Sequence, residues 1–188
     1  MKRLLLSIFL SSLATSVVNA QNEQKMIDDS KKAIKYFGGQ LKSKLMSGMQ
    51  QGGPVTAIQI CNTAAENIAG EVSEKFGWKI SRTALKLRNT KNTPDAWEAE
   101  VLNAFEKRKR HGEEVSKIDY AEIVNKDGQS VFRYMKAIPT GGLCLSCHGD
   151  SLMPDIASKI DQLYPDDKAR GFTAGDIRGA FSVVRNIP

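Results

Sequence analysis

Cys144-Leu145-Ser146-Cys147-His148 is the stretch around which the rest of the chain must be arranged. Two thiols three residues apart, followed at once by a histidine, form the C-x-x-C-H pattern to which a c-type haem is attached. Each thiol can add across one haem vinyl group, and the imidazole can bind the iron. The stretch therefore predicts one covalent haem c, held by Cys144 and Cys147, with His148 as the proximal iron ligand.

The same three side chains have two other potential uses, a redox dithiol and a zinc site. A zinc site usually has four ligands, and the sequence contains no second Cys/His pair to complete one. A thioredoxin-like dithiol is expected near a βαβ pattern, which the sequence does not show. Haem attachment is therefore the favoured interpretation.

The first 20 residues have the pattern of a secretory signal peptide. Met1-Lys2-Arg3 is basic, residues 4–10 form an apolar run interrupted only by Ser7, and Val18-Asn19-Ala20 offers a cleavage site. The apolar segment is too short and too rich in serine to span about 30 Å of hydrocarbon comfortably, which argues against a membrane anchor. We expect export to the bacterial periplasm, where c-type haem is attached, with no membrane span after cleavage.

The overall composition limits the classes of function that the chain can have. Of 188 residues, 27 are Lys or Arg and 21 are Asp or Glu, so the net charge is +6, and removal of Lys2 and Arg3 with the signal peptide lowers it to about +4. Two haem propionates would lower it further, and so small an excess does not indicate nucleic-acid binding. The chain has three cysteines, so Cys61 remains once the haem is attached.

Hydrophobic periodicity and turn residues predict a mixture of helices and strands. Residues 23–49 predict a helix with a kink at Gly38-Gly39, residues 51–54 a connector, and residues 55–76 a second helix. Residues 78–89 are expected to be extended. A further helix is expected to begin at Pro94, capped by Thr93, and to end at Gly112. The remaining predicted elements are a hairpin of strands 120–124 and 130–138, a short helix from Pro154 and a last strand over residues 177–184.

Cys61 shares one face of the second predicted helix with Ala57, Ala64 and Ile68. A cysteine on such a face is commonly a small buried hydrophobe. The alternative is that Cys61 is the sixth, distal ligand of the haem iron, since small alanines would let a flat porphyrin approach the helix. Periodicity alone leaves both interpretations open.

Basic side chains alternate along the predicted extended segment, where Arg82, Lys86 and Arg88 share a parity. They could form the polar face of an edge strand. Alternatively, Arg82 and Arg88 could bind the haem propionates, because a guanidinium pairs with a carboxylate through two hydrogen bonds. The basic run at residues 107–111 is explained by the helix dipole without an acidic partner.

Several separated motifs occur in an order that resembles one protein family. They are Ile60-Cys61, Arg82-Thr83, Arg88-Asn89, Asn92, Pro94, Trp97, the hairpin, Cys144-Leu145-Ser146-Cys147-His148-Gly149 and Gly175-Asp176-Ile177-Arg178-Gly179-Ala180. Over roughly residues 33–185 the chain is similar to single-haem c-type proteins with a PAS-like domain, known as a domain of unknown function with a cyanobacterial representative. The resemblance implies an α+β fold with a PAS-like antiparallel sheet flanked by helices. It also implies iron ligation by His148 and Cys61.

These observations predict three parts: a signal peptide (1–20), an N-terminal helical segment (21–52) and a PAS-like haem domain (53–188). The expected function is electron transfer or redox sensing in the periplasm, with a redox partner that the sequence does not identify. One alternative is sensing of a small gas such as CO or NO, and another is an electron carrier with Met153 or Met135 as the sixth ligand. Enzymatic activity is not expected, because His111, the only other histidine, ends a solvated helix.

Overall fold

A computed structural model describes the backbone of residues 6–187 and the side chains of residues 21–187. Within these residues the helices are α1 (Leu6–Phe76), α2 (Ala96–Arg110), α3 (Gly142–His148) and α4 (Pro154–Leu163). The strands are β1 (Lys79–Thr83), β2 (Asp119–Lys126), β3 (Gln129–Pro139) and β4 (Ile177–Asn186). They form one antiparallel sheet in the order β1-β4-β3-β2. The predicted α+β class, with an antiparallel sheet flanked by helices, is confirmed.

The N-terminal helix α1 is a helical hairpin that bends at Gly52 and Gly53. Both residues leave the helical conformation, and Gly53 has a φ of 70°, which favours glycine. Pro54 opens the second arm, where its missing N–H has no helical partner to lose. The two arms approach closely because Gly48 lacks a side chain: a Cβ there would lie 2.6 Å from the Cα of Ala57.

The bend of α1 lies in the predicted connector, whereas the predicted kink at Gly38-Gly39 is wrong. Both glycines stay within the helix, where a glycine costs about 1 kcal/mol but does not by itself break the hydrogen-bond ladder. Gly38 instead makes room for Phe181 of β4, since a Cβ at Gly38 would lie 3.3 Å from that ring. Gly38 therefore allows α1 to pack closely against β4, whereas a Cβ at Gly39 would meet no atom within 4 Å.

The two faces of the sheet are covered by different helices. Successive residues of a strand point to opposite faces, so Tyr134 faces α1 while Met135 faces α2. The core under α1 consists of Ala33, Ile34, Phe37, Ile68, Val72, Ile80, Phe132, Tyr134 and Val183. The core under α2 consists of Val101, Leu102, Phe105, Val115, Ile118, Met135, Ala137, Ile177 and Ala180.

Strand β4 contains a bulge at Arg178. In the β3–β4 pairing Ile138 is opposite Gly179 but Pro139 is opposite Ile177, so Arg178 has no partner on β3. One extra residue shifts the alternation of the strand by one position and can re-aim a side chain. Ile177 therefore joins the α2 core, and the side chain of Arg178 turns toward α3.

The start of α2 differs from the prediction. Asp95, rather than Thr93, caps the helix, and its carboxylate accepts a hydrogen bond from the Glu98 N–H at 2.8 Å. Thr93 instead donates its hydroxyl to the carbonyl of Thr90. Asp competes well with Thr as a cap because its carboxylate also meets the positive end of the helix dipole.

The remaining predicted elements are present with small changes of boundary. Only Lys79–Thr83 of the predicted extended segment forms a strand, and it lies at an edge of the sheet. The hairpin, the helix that begins at Pro154 and the last strand are confirmed. The predicted signal peptide, residues 1–20, lies outside the residues whose side chains are described. In the described part of the chain no helix is long and apolar enough to cross a membrane.

Candidate haem-binding site

The C-x-x-C-H stretch forms the short helix α3, directly after β3. Cys144 and Cys147 are three residues apart, so their side chains lie on the same side of the helix. Both thiols are free and half-buried, as is that of Cys61. The two sulfurs are therefore available to bond two neighbouring groups of one ligand.

One ring nitrogen of His148 is held in a hydrogen bond and the other is left with its lone pair. Nδ1 lies 2.8 Å from the carbonyl oxygen of Ala169, and because a carbonyl only accepts, Nδ1 carries the proton. Nε2 then has the lone pair with which a neutral imidazole binds a metal. Burial, reinforced by the charges of Arg178 and Arg88, lowers the pKa of His148 to about 3, so the ring is neutral near pH 7.

Arg88 and Asp167 form a buried ion pair beside the end of α3. Arg88 Nε donates to Asp167 Oδ1 at 3.1 Å, and the Asp167 side chain is only 1% exposed. Arg88 Nη2 also donates to the carbonyls of Cys147 at 2.6 Å and Ala169 at 3.1 Å. The guanidinium thereby ties α3 to the loop that holds His148 Nδ1. A propionate-binding role for Arg88 stays a prediction, although Nε and Nη2 are already engaged by protein groups.

The loop after α4 closes over the same end of α3. The N–H of Phe172 donates to the carbonyl of His148 at 3.0 Å, and the N–H of Gly171 donates to that of Gly149 at 2.9 Å. The Phe172 ring stands edge-on to the imidazole, with 6.1 Å between the ring centroids. These contacts fix the direction in which the imidazole faces.

The guanidinium of Arg178 lies over the face of the His148 ring. Its Nε is 3.2 Å from Nδ1 and 3.3 Å from Nε2. A donor almost equally distant from both nitrogens must lie above the ring, because in the ring plane it would collide with the carbon between them. Arg178 therefore leaves the in-plane lone pair of Nε2 open.

A cavity of about 110 Å³ opens beside His148. It combines three guanidiniums with apolar walls, and it is lined by Arg82, Thr83, Ala84, Leu87, Arg88, Asn92, Ile138, His148, Arg178 and Gly179. Small-molecule sites usually measure about 300–1,000 Å³, so the cavity in this structure is smaller than a whole porphyrin needs. The apolar walls and the cations suit a flat apolar cofactor that carries carboxylates.

Cys61 lies on the second arm of α1, on the side toward α3. Ile58, three residues earlier, packs in a cluster with Cys147 and with residues of α4. Burial raises the pKa of Cys147, and the nearby Cys61 thiol raises it further. Burial also raises the pKa of Cys61, which the nearby Arg82 guanidinium opposes. The structure thus brings Cys61, Arg82 and Cys147 into one region, and iron ligation by Cys61 stays a prediction.

The methionines considered as sixth ligands lie elsewhere. Met135 is fully buried in the α2 core, and Met153 is 64% exposed just before α4. Neither lines the cavity beside His148. Over residues 21–187, no three His, Cys, Asp or Glu side chains are gathered as a protein-bound metal cluster would require.

Three contributors to this site were not predicted from the sequence: Asp167, the carbonyl of Ala169 and Arg178. Arg178 belongs to the Gly175-to-Ala180 motif. The signal that could have identified it is an arginine followed by a glycine near the start of a predicted strand. Asp167 and Ala169 lie in a segment that reads only as a polar loop. A carbonyl acceptor has no sequence signature, because every residue carries one.

Comparison with known proteins supports a family relationship. The model of the Tll0287-like family matches residues 12–186. The crystal structure of the cyanobacterial heme-protein Tll0287 is similar, with a TM-score of 0.64 and 23% sequence identity, over 87% of this chain and 95% of that chain. At this identity the likeness concerns the fold alone. No curated protein matches the chain.

Proposed function

This chain belongs to the Tll0287-like family, and from that membership we propose that it is a periplasmic single-haem c-type protein that transfers electrons or senses redox state. The observation that carries the proposal is the set of groups on α3: two free thiols on one side and an imidazole with Nε2 open. The similar crystal structure is that of a heme-protein, which supports a haem here. Bound haem would supply an iron that changes its charge by one electron.

Cys144 and Cys147 would attach the cofactor. Each sulfur would form a C–S bond with one vinyl carbon, and the proton of the S–H group would go to the other carbon, so the addition would need no oxidant. His148 would bind the iron through Nε2, while the Ala169 carbonyl keeps the ring oriented and makes it more basic. Arg88 and Asp167 hold that carbonyl in place.

Cys61 would be the second protein ligand of the iron, its distal ligand. Its place on the arm of α1 that packs toward Cys147 supports this role. Binding to a metal deprotonates a thiol, and the Arg82 charge favours the thiolate against the effect of burial. A thiolate stabilises ferric iron more than ferrous iron, so we expect a low reduction potential. The Cys61 bond should weaken on reduction, which provides the two-state element that a sensor needs.

We propose binding or electron transfer rather than catalysis. An enzyme of this class would need an acid–base group near the reacting centre. His111 is the one histidine of the sequence besides His148, and it lies exposed at the end of α2. Besides His148, the cavity is lined by three arginines, Thr83, Asn92 and apolar residues, none of which is a usual acid–base group near neutral pH.

The proposal is tested by expressing the chain in cells that mature c-type cytochromes. We expect a coloured protein in the periplasmic fraction, with one haem per chain that stays attached in a denaturing gel. The control is the same chain in cells without the maturation system, which should give colourless protein. A colourless product from the competent cells contradicts the proposal.

The distal ligand is tested with Cys61→Ala and, as a matched control, Met153→Ala. The ferric absorption and electron paramagnetic resonance spectra should change in Cys61→Ala and stay as in wild type in Met153→Ala. Ligation by Cys61 is wrong if the first variant keeps the wild-type spectra, and a change in the second would favour the methionine-ligated carrier. Carbon monoxide added to the reduced protein measures whether the released position admits a gas.

A further inference from the structure

We propose that Arg178, assisted by Arg82, binds the carboxylate groups of the cofactor, an inference that rests on the proposed haem. These two guanidiniums line the same cavity as His148, on elements that are distant in sequence. Arg88, the other cation of the cavity wall, already donates hydrogen bonds to Asp167 and to two carbonyls.

The backbone places Arg178 in this position through the bulge in β4. A regular strand would direct residue 178 and residue 180 to the same face, and Ala180 packs in the α2 core. The extra residue removes Arg178 from that face and puts its guanidinium over the His148 ring. Gly179 permits the bulge, since its φ is 155° and a Cβ there would lie 2.4 Å from the Thr83 carbonyl oxygen. Bulges of this kind commonly serve to aim a side chain at a site.

The guanidinium N–H groups of Arg82, Arg88 and Arg178 differ in their hydrogen-bond partners. Arg88 makes charge-assisted hydrogen bonds to Asp167 and further bonds to two carbonyls. Arg178 donates through Nη1 to the carbonyl of Lys86 at 3.2 Å, and its contact with the neutral His148 ring brings no counter-charge. Arg82 lies over the Phe37 ring, 6.0 Å from its centroid. Among the described residues neither Arg82 nor Arg178 has a carboxylate within ion-pair distance, and both retain guanidinium N–H groups for a ligand.

The cavity wall carries an excess of positive charge that a dianion would neutralise. Arg88 is neutralised by Asp167, and Arg170, which also contacts Asp167, has Asp161 as a second partner. Arg82 and Arg178 therefore remain as two uncompensated positive charges. Removing charges from water without partners is costly, and a planar guanidinium is the side chain best suited to pair with a carboxylate. A haem carries two propionates, which match this surplus in number and chemistry.

The proposal is tested on the wild-type holoprotein by solid-state NMR. Haem labelled with ¹³C at its carboxyl carbons and arginine labelled with ¹⁵N at its guanidinium nitrogens should show dipolar coupling that corresponds to a separation of about 4 Å, as an ion pair requires. Absence of that coupling in a protein that carries its full complement of haem overturns the inference and leaves the proposed function intact. Absence of covalent haem contradicts the proposed function instead.

Variants assign the coupling to particular residues. Arg178→Lys keeps the charge but removes the labelled guanidinium, so we expect loss of about half of the coupling, and Arg82→Lys should remove the rest. The matched control is Arg185→Lys, since Arg185 lies on the same strand and stacks on Trp78 at 4.9 Å. The inference is wrong if the coupling stays at its wild-type size in both single variants or falls in Arg185→Lys. If Arg178→Lys fails to retain haem, Arg82→Lys and the wild-type measurement still decide the outcome.

Discussion

The side of the sheet under α2 and the end of the molecule around α3 are built in opposite ways. Leu102 and Phe105 are each 1% exposed and pack in one core with Met135, which is fully buried. In α3 no residue is fully buried, and its surroundings hold free thiols, an open ring nitrogen and unpaired guanidiniums. The first region is complete as protein, whereas the second has bonding capacity that the protein does not use. The region under α2 therefore contributes mainly to stability, whereas the region around α3 retains groups that a ligand can use.

The largest effect is expected when the two thiols proposed to attach the haem are removed. In a Cys144→Ser, Cys147→Ser double variant the covalent haem should be lost almost completely, because a hydroxyl does not replace the thiol in the addition. Hydrogen exchange should then accelerate around residues 142–172 but stay slow in β3 and β4, since the sheet keeps its own core. Loss of protection throughout the sheet would contradict the separation of the two regions.

A core truncation under α2 should show the reverse pattern. Phe105→Ala removes a fully buried ring and should destabilise the fold by about 3–5 kcal/mol, because it leaves a cavity. Denaturant unfolding of the holoprotein measures the loss, and the haem spectrum below the unfolding transition should not change. Met153→Ala, at an exposed position, is the control and should change the stability by less than about 0.5 kcal/mol. A change in the haem spectrum of folded Phe105→Ala would show that the regions are coupled.

The Arg88–Asp167 pair should show an intermediate effect with a defined pH dependence. Burial raises the pKa of Asp167, but hydrogen bonds from Arg88 and Arg170 outweigh it and hold that pKa below the usual range. The pair therefore stabilises the fold above the unfolded-state pKa of about 4, and this stability is lost as the pH falls through the lower folded-state pKa. Asp167→Asn should cost about 2–3 kcal/mol at pH 7.

Unfolding of Asp167→Asn and wild type between pH 7 and pH 2 checks this expectation. The difference between them should begin to shrink below about pH 4, where the carboxyl of the unfolded state becomes protonated, and should disappear as the pH falls through the lower folded-state pKa. The matched control is Asp166→Asn, because Asp166 is the exposed neighbour and should contribute little at any pH. A difference that stays constant over the whole range would contradict the role of the carboxylate charge.

The smallest effect concerns a polar contact on the α1 side of the sheet, away from both regions compared above. The Tyr134 hydroxyl donates to Asp119 Oδ2 at 2.7 Å, and Asp119 also pairs with Lys31 of α1 at 3.1 Å. Tyr134→Phe should cost about 1 kcal/mol, since Asp119 keeps its second partner. Thermal unfolding measures it, with Tyr36→Phe at an exposed position as the control. Equal losses in the two variants would mean that the Asp119 contact contributes nothing.

Patterns within single elements predicted much of the fold from the sequence. The Asp127-Gly128 turn predicted the hairpin, and Pro154 marked the start of α4, because each signal is local. The kink at Gly38-Gly39 was wrong because the packing partner, Phe181, lies far along the chain. At the site, the thiols and His148 formed one motif, whereas Asp167 and Arg178 reach it only through a loop and a bulge that arise from tertiary structure.

Because of the bulge, the number of residues in β4 matters more than the residue types along the strand. Side chains along β4 alternate between the two faces of the sheet, but the bulge at position 178 shifts this alternation by one residue. Deleting one residue would remove the bulge and restore a single alternation along the whole strand. Either Ile177 or Arg178 would then point to the wrong side of the sheet. Related sequences should therefore vary in residue type along β4 far more readily than they gain or lose a residue between β3 and the end of that strand.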